Sequence, residues 1–358
     1  MSVVDLFHQI AKNDFGFFQQ VKSVADVMTK EPLCLSLDDT FEVTEEQFRR
    51  KKVDHAAVLN PDDQSIVGVV SDRDLLRHRP RLLGKAAERD EDQKALRDSV
   101  TRFMTRSPLW CTGSSSPIHA MSLMLDHHVD SVLVSPDGRT LDGIVTPNNF
   151  IQTLLLYHHV CTRDFDLRRL RLVDLDFRNG IPLDEIFSRG AQTVRDVMTK
   201  DVECLSFDEV VSAAIAKMQE LEVRHLPVVS ADGKIVGILS DRDILRCLPV
   251  HQNRAEEPET RFRQVLFATD DRATLHTRVD TIMSRELNSV HPDMLLTDAM
   301  AVLQKAAVSG LPVLEPQTKQ LCGILTTSDI LRVFRVVMHL GMLADSGART
   351  APTQEVAD

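Results

Sequence analysis

Aromatic residues make up only 5% of this 358-residue chain, with one Trp and one Tyr, so its core has to be aliphatic. Metal-type cysteine spacing is missing. The six cysteines, at 34, 111, 161, 204, 247 and 322, form no C-x-x-C pair, and Cys34 and Cys204 read as small buried apolar residues of a reducing compartment. His127-His128 and His158-His159-x-Cys161 lack a second ligand pair, so no metal is expected. No apolar run approaches the ~20 residues of a membrane-spanning helix, and Met1–Asp5 opens no charged-then-apolar leader. No membrane association is expected, and the location expected is cytoplasmic. A formal net charge of -11 withholds the positive field that nucleic acid demands. There is no Walker loop, no Gly-x-Gly-x-x-Gly and no Ser-His-Asp order, so an enzyme is not expected.

What the chain has is repetition. Ile235-Val236-Gly237-Ile238-Leu239-Ser240-Asp241-Arg242-Asp243 reads as a buried strand, a tight turn and the start of a helix. Ser240 stands three residues before Asp243, the spacing of a helix cap and its reciprocal acid. Ile66–Asp74 repeats the pattern closely; Leu141–Asn149 and Leu321–Asp329 repeat it more loosely. A second motif, Met-Thr, stands ahead of each unit: Met28-Thr29, Met104-Thr105, Met198-Thr199 and, with Ser for Thr, Met283-Ser284. The first unit matches the third and the second matches the fourth, so two modules stand in tandem.

Each repeat reads as β-α-β-β-α. A cap opens the first helix: Ser206-x-x-Glu209 as a capping box, Ser36-x-x-Asp39 as a weaker one, and Ser116-Pro117 with Pro at the first helical position. Val211, Ala214, Ile215 and Met218 then form a helical stripe, and Asp232-Gly233 marks a hairpin turn. The fold class is α+β, four β-α-β-β-α repeats paired into two modules. The expected division is a helix over 1–23, a first module over 24–157 (repeats at about 24–80 and 100–157), a linker over 158–192, a second module over 193–340 (repeats at about 193–249 and 279–340) and a flexible tail over 341–358. Charged insertions, Arg81 to Asp98 and Arg254 to Arg278, interrupt both modules at corresponding places.

Met-Thr, Leu-Pro-Val-Val, Gly-apolar-apolar-Ser/Thr-x-x-Asp and the fourfold element order together resemble the cystathionine-β-synthase (CBS) domain family, with two CBS repeats per Bateman module. The four-repeat layout is similar to the γ subunit of AMP-activated protein kinase. The resemblance implies a non-catalytic regulatory protein. Its ligand would be an adenine nucleotide such as AMP, ADP or ATP, with or without Mg2+, held in clefts between paired repeats. It implies signalling in trans to a protein partner, and association of modules within one chain or as a homodimer. A dimerisation scaffold with empty clefts is the alternative.

The resemblance also assigns residues. Ribose would be held by Ser71/Asp74, Ser240/Asp243 and Thr326/Asp329, because a carboxylate can accept from both hydroxyls of a cis-diol. Thr146/Asn149 departs from the pattern, Asn having one acceptor oxygen and no charge. Phosphate would be met by Arg224, His225, Arg242, His55 and Arg73. The second and fourth repeats, with Asp130-Ser131 and Ser309-Gly310, supply no cation at that place. The third repeat combines Arg224, His225, Arg242 and Asp243, and its cleft is the first choice. The competing reading makes each Ser/Thr-x-x-Asp a self-satisfied helix cap and each Arg a surface ion pair with neighbouring Asp.

Overall fold

The computed structural model describes residues 21–80, 90–160, 193–247 and 272–336. In the first repeat β1 (Cys34–Ser36), α1 (Phe41–Lys51), β2 (His55–Leu59), β3 (Ile66–Ser71) and α2 (Asp72–His78) follow in order. The second runs β4 (Trp110–Cys111), α3 (Pro117–Asp126), β5 (Val132–Val134), β6 (Gly143–Val145), α4 (Pro147–Val160). The third runs β7 (Leu205–Ser206), α5 (Val211–Glu220), β8 (His225–Val229), β9 (Ile235–Ser240), α6 (Asp241–Cys247). The fourth has α7 (Leu296–Ala306), β10 (Gly310–Leu314), β11 (Leu321–Thr326) and a helix α8 over 327–336. Three sheets share one plan: the first strand runs parallel to the second, the second antiparallel to the third. In the fourth a single parallel bridge, Val290 to Val313, stands where the first strand would be. The helix expected over 1–23, the linker over 158–192 and the tail over 341–358 lie outside the described residues, save 21–23 and the end of α4.

Two expectations are corrected. The Ser206-x-x-Glu209 and Ser36-x-x-Asp39 boxes do form, Glu209 and Asp39 accepting from the backbone N–H of Ser206 (2.9 Å) and Ser36 (2.8 Å). They close isolated turns, and the helices start later, at Val211 and Phe41. The delay has a cause: Val210 and Thr40 are extended and bridge Arg278 and Ser99 of the partner repeat. The Val211, Ala214, Ile215 and Met218 stripe is buried, as expected. Cys34, in contrast, is exposed and Cys204 half-buried; only Cys111 is buried among the described cysteines.

The repeats of a module exchange their entries. Val24 and Val27 pack with Cys111, Ala120 and Met121 of the second repeat, whereas Val100 and Phe103 pack with Leu35 and Phe41 of the first. At the end of each entry the Met-Thr backbone bridges the partner's motif strand: Thr29 with Ile144, Thr105 with Val69, Thr199 with Ile324, Ser284 with Ile238. Here the motif glycine finds its reason. A Cβ on Gly237 would stand 2.5 Å from Met283 Sδ and 2.9 Å from the Ser284 carbonyl oxygen; one on Gly323 would stand 2.6 Å from Met198 Sδ and 2.9 Å from that of Thr199. Only a residue without a Cβ lets the second backbone lie this close.

The modules also meet within the chain. α2 packs against α6, and α4 against α7, placing first repeat against third and second against fourth. Phe150 of α4 meets Phe334 of α8 edge to face at 5.9 Å. Ile151 enters the fourth repeat's core, and Leu331 and Phe334 enter the second's. The association of two modules that the resemblance implies is thus met within one chain.

Candidate ligand-binding site

Three of the four elements, Ser71/Asp74, Ser240/Asp243 and Thr326/Asp329, are reciprocal helix caps, the cap hydroxyl accepting from the acid's backbone N–H at 3.3 Å in each. Asp74, Asp243 and Asp329 each give one carboxylate oxygen to the backbone N–H and hydroxyl of Ser71 (2.8 and 2.6 Å), Ser240 (2.9 and 2.6 Å) and Thr326 (2.8 and 2.6 Å). The other oxygen accepts from an arginine one turn on: Arg77 at 3.2 Å, Arg246 at 2.8 Å, Arg332 at 3.0 Å. At the fourth element Asn149 Oδ1 takes the cap bonds from Thr146 (2.9 and 2.8 Å), and its amide donates to Thr29 Oγ1 at 3.0 Å. The competing reading thus describes real bonds, and each carboxylate keeps an oxygen that accepts from a flexible arginine, joined at Asp329 by the Thr199 hydroxyl at 3.5 Å. Burial raises the Asp329 carboxyl above its usual range against the opposing pull of Thr326 and Arg332.

A cavity of about 1790 Å³ lies between the modules. Thr146/Asn149 and Thr326/Asp329 line it; Ser71/Asp74 and Ser240/Asp243 do not. Each even-repeat cap faces the entry of its module partner, Thr29 to Leu33 on one side and Thr199 to Glu203 on the other. The five predicted phosphate residues, Arg73, Arg224, Arg242, His55 and His225, all reach this cavity. The fold therefore sends Arg224, His225 and Arg242 to the wall shared with Asp329, while Asp243 stays with the cap of α6.

The basic residues are not surface pairs with sequence neighbours. Arg73, with a side chain 10% exposed, donates its Nε to Asp241 across the module boundary at 2.6 Å and its Nη1 to Asp130 of the second repeat. Arg242 answers with Nε to Asp72 at 2.5 Å, a reciprocal clasp between the N-terminal ends of α2 and α6. Arg224 Nη1 donates to both Asp130 oxygens at 2.8 and 2.6 Å, and its Nη2 to the His128 carbonyl. Asp130, read in the sequence as a place without a cation, is the anion at the hub. Burial would raise its carboxyl, but Arg224 and Arg73 hold it well below the usual range. His225 Nε2 lies 3.0 Å from Ser309 Oγ, and Gly310 makes room for the ring: a Cβ there would come within 3.1 Å of it. Burial, with Arg73, Arg242 and Arg224 nearby, lowers the His225 pKa to about 4. His55 is lowered by burial as well, against Asp130, Asp72 and Asp54. Both imidazoles face the cavity neutral at pH 7, as hydrogen-bonding groups. The hub was hidden in the sequence because positions 54, 130, 224 and 309 are far apart in the chain; their shared place in the repeat was the signal that could have found it.

Among the described residues no group of three His, Cys, Asp or Glu side chains is placed to hold a metal, and no helix is long and apolar enough to cross a membrane. The family model for the CBS domain matches residues 24–81, 100–156, 194–250 and 279–336, more than half of the chain. A CBS domain-containing protein of Dictyostelium discoideum is 28% identical over 146 residues, 41% of this chain and 93% of that protein. A homoserine O-acetyltransferase of Methanosarcina acetivorans is 27% identical over 141 residues, 39% of this chain but only 22% of the enzyme. A crystal structure from Methanocaldococcus jannaschii, described as a candidate archaeal homologue of the AMP-activated kinase γ subunit, is similar to 87% of this chain over 99% of its own, at 18% identity and a TM-score of 0.56.

Proposed function

Since this chain belongs to the CBS-domain family, with four CBS repeats in two Bateman modules, we propose that it is a non-catalytic sensor that binds adenosine-containing ligands in the cavity between its modules. The observation that carries this reading is the convergence of Thr326/Asp329, Thr146/Asn149, three arginines and two neutral histidines on one cavity at the module boundary. A cis-diol can replace Arg332 on the second oxygen of Asp329, since that side chain is 46% exposed and can swing to water. Ribose then sits at the start of α8, and the rest of the ligand reaches toward Arg224 and His225. A ligand so placed touches both modules, and it regulates only by its unequal affinity for two of their arrangements. The protein partner in trans, the cytoplasmic setting, an accompanying Mg2+ and any pairing of two chains belong to this proposal. Sedimentation of the purified protein reads the last directly.

The scaffold reading has its own support: every cap carboxylate and hub arginine already has a partner, so the fold closes without ligand. Thermal unfolding against adenine and guanine nucleosides and nucleotides separates the two. Ligand at 100 times its dissociation constant stabilises by about 2.7 kcal/mol, a midpoint rise of about 5–10 °C. The sensor shows such a rise with an adenine ligand, and Asp329→Ala removes it while lowering the ligand-free protein by only about 1 kcal/mol for the lost cap. No rise at millimolar ligand gives the scaffold.

A further inference from the structure

Resting on the nucleoside reading above, we infer that Asp130 determines which ligand charge this cavity accepts. Its carboxylate occupies the arginines that would otherwise grip a phosphate, so the site takes an adenine nucleoside whose 5′ group is uncharged or cationic, and disfavours each added phosphate.

The charges balance without any ligand. Arg73, Arg224 and Arg242 are matched by Asp72, Asp130 and Asp241, each guanidinium on a named carboxylate. Asp54 adds a further negative charge on the same wall, and the two histidines there contribute none at pH 7. Arg224 Nη1 spans both oxygens of Asp130 while Arg73 approaches one of them, charge-assisted bonds that a phosphate oxygen could accept in the carboxylate's place. A phosphate can enter this grip only by displacing Asp130, and the displaced carboxylate would then face the phosphate across the cavity wall without a counter-charge. The remaining cations of the lining are themselves offset. Lys200 stands beside Asp201 and Glu203, and Arg332 and Arg246 are held by Asp329 and Asp243. Arg49, Lys52 and Arg79 share their side of the cavity with Glu31 and Glu45, Arg79 on Glu45 at 3.3 Å. A neutral or cationic 5′ group meets no such conflict and can sit against Asp130 and Asp54. Asp130 acts here as a fixed stand-in for phosphate, supplied by the second repeat to the arginines of the first and third.

The test is calorimetric titration of the full chain, wild type and Asp130→Asn, with adenosine, AMP and ATP without magnesium at one ionic strength. The expected wild-type order is adenosine at least as tight as AMP, with ATP at least tenfold weaker than adenosine. In Asp130→Asn the ratio of ATP to adenosine affinity rises at least tenfold. Wild type binding ATP more tightly than adenosine overturns the inference, and so does a ratio unmoved by the substitution. Should Asp130→Asn not accumulate folded, the wild-type order alone decides. If no adenine compound binds either protein, the nucleoside reading has failed, and inorganic pyrophosphate still tests the charge lock. A midpoint rise of at least 2 °C with pyrophosphate in Asp130→Asn and none in wild type supports it; equal responses sink it.

Discussion

Odd and even repeats share one cap geometry and put its neighbours to opposite use. After their serine caps the first and third repeats carry Asp72-Arg73 and Asp241-Arg242, which clasp each other across the module boundary. After their threonine caps the second and fourth carry Pro147-Asn148 and Thr327-Ser328, which line the cavity without charge, Asn148 accepting from Gln304 of the fourth repeat at 3.0 Å. The strands opposite differ in step, starting on His55 and His225 in odd repeats and following Ser131 and Ser309 in even ones. The odd half of the pseudo-symmetry thus joins the modules by charge, and the even half by apolar side chains, Phe150 against Phe334 and Ile151 in the fourth repeat's core. A cap motif by itself does not tell which; the two residues after it do.

Breaking the clasp should have the largest effect. Arg73→Gln leaves the buried Asp241 without its cation, while Asp130 keeps Arg224, and should cost about 3–5 kcal/mol in urea unfolding. The equivalent change in an even repeat, Ser328→Ala, should cost well under 1 kcal/mol. Equal costs would mean that the clasp does not hold the odd repeats together.

Acid provides the next lever, because the histidines whose pKa is lowered, His55, His78 and His225, all belong to the odd repeats among the described residues. His225 titrates near 4 when folded against 6.5 unfolded, so between those values the unfolded chain binds more protons. Its contribution is whole above pH 6.5 and lost as the pH falls toward 4, up to about 3 kcal/mol, with His55 acting in the same direction. Asp130 and Asp241, whose values are lowered, hold their contribution down to the ordinary carboxylate range and lose it only below. Unfolding midpoints at pH 7, 5.5 and 4 should therefore fall in wild type, with a visibly flatter slope in His225→Gln.

The smallest expected change sharpens the contrast between the two open clefts. Asn149→Asp gives the second repeat the carboxylate that Asp329 gives the fourth. Thr29 can turn its hydroxyl to donate to it, so stability should change by less than about 1 kcal/mol. Adenosine titration should then show a second binding event, or a first one strengthened about tenfold.

Much of this was legible in the chain. Met-Thr, with Met-Ser in its fourth occurrence, and Gly-apolar-apolar-Ser/Thr announce the repeats, and the Ser240–Asp243 spacing announces a cap whose bonds all form. Two things were not. Helix starts at Phe41 and Val211 were misplaced because the competitor for those backbone groups, the partner's entry, lies far along the chain. Arg73 looked like a partner for its own flanking aspartates, whereas an α-helix turns adjacent side chains apart and leaves Asp241 and Asp130 in reach. Local pattern identifies what a residue can bond; only the packing of repeats decides which of the candidates arrives.

The exchange of entries bears on how the chain comes to be folded. When the first repeat leaves the ribosome its hydrophobic interior around Leu35 and Phe41 is still missing Val100 and Phe103, which are synthesised later and arrive from the second. No single repeat can close its interior by itself, so the smallest cooperative folding unit is the pair. A chain cut between repeats would present an unfilled groove beside a loose entry turn of matching shape. Two such fragments would complete each other by trading entries, and would be recovered as an intertwined dimer.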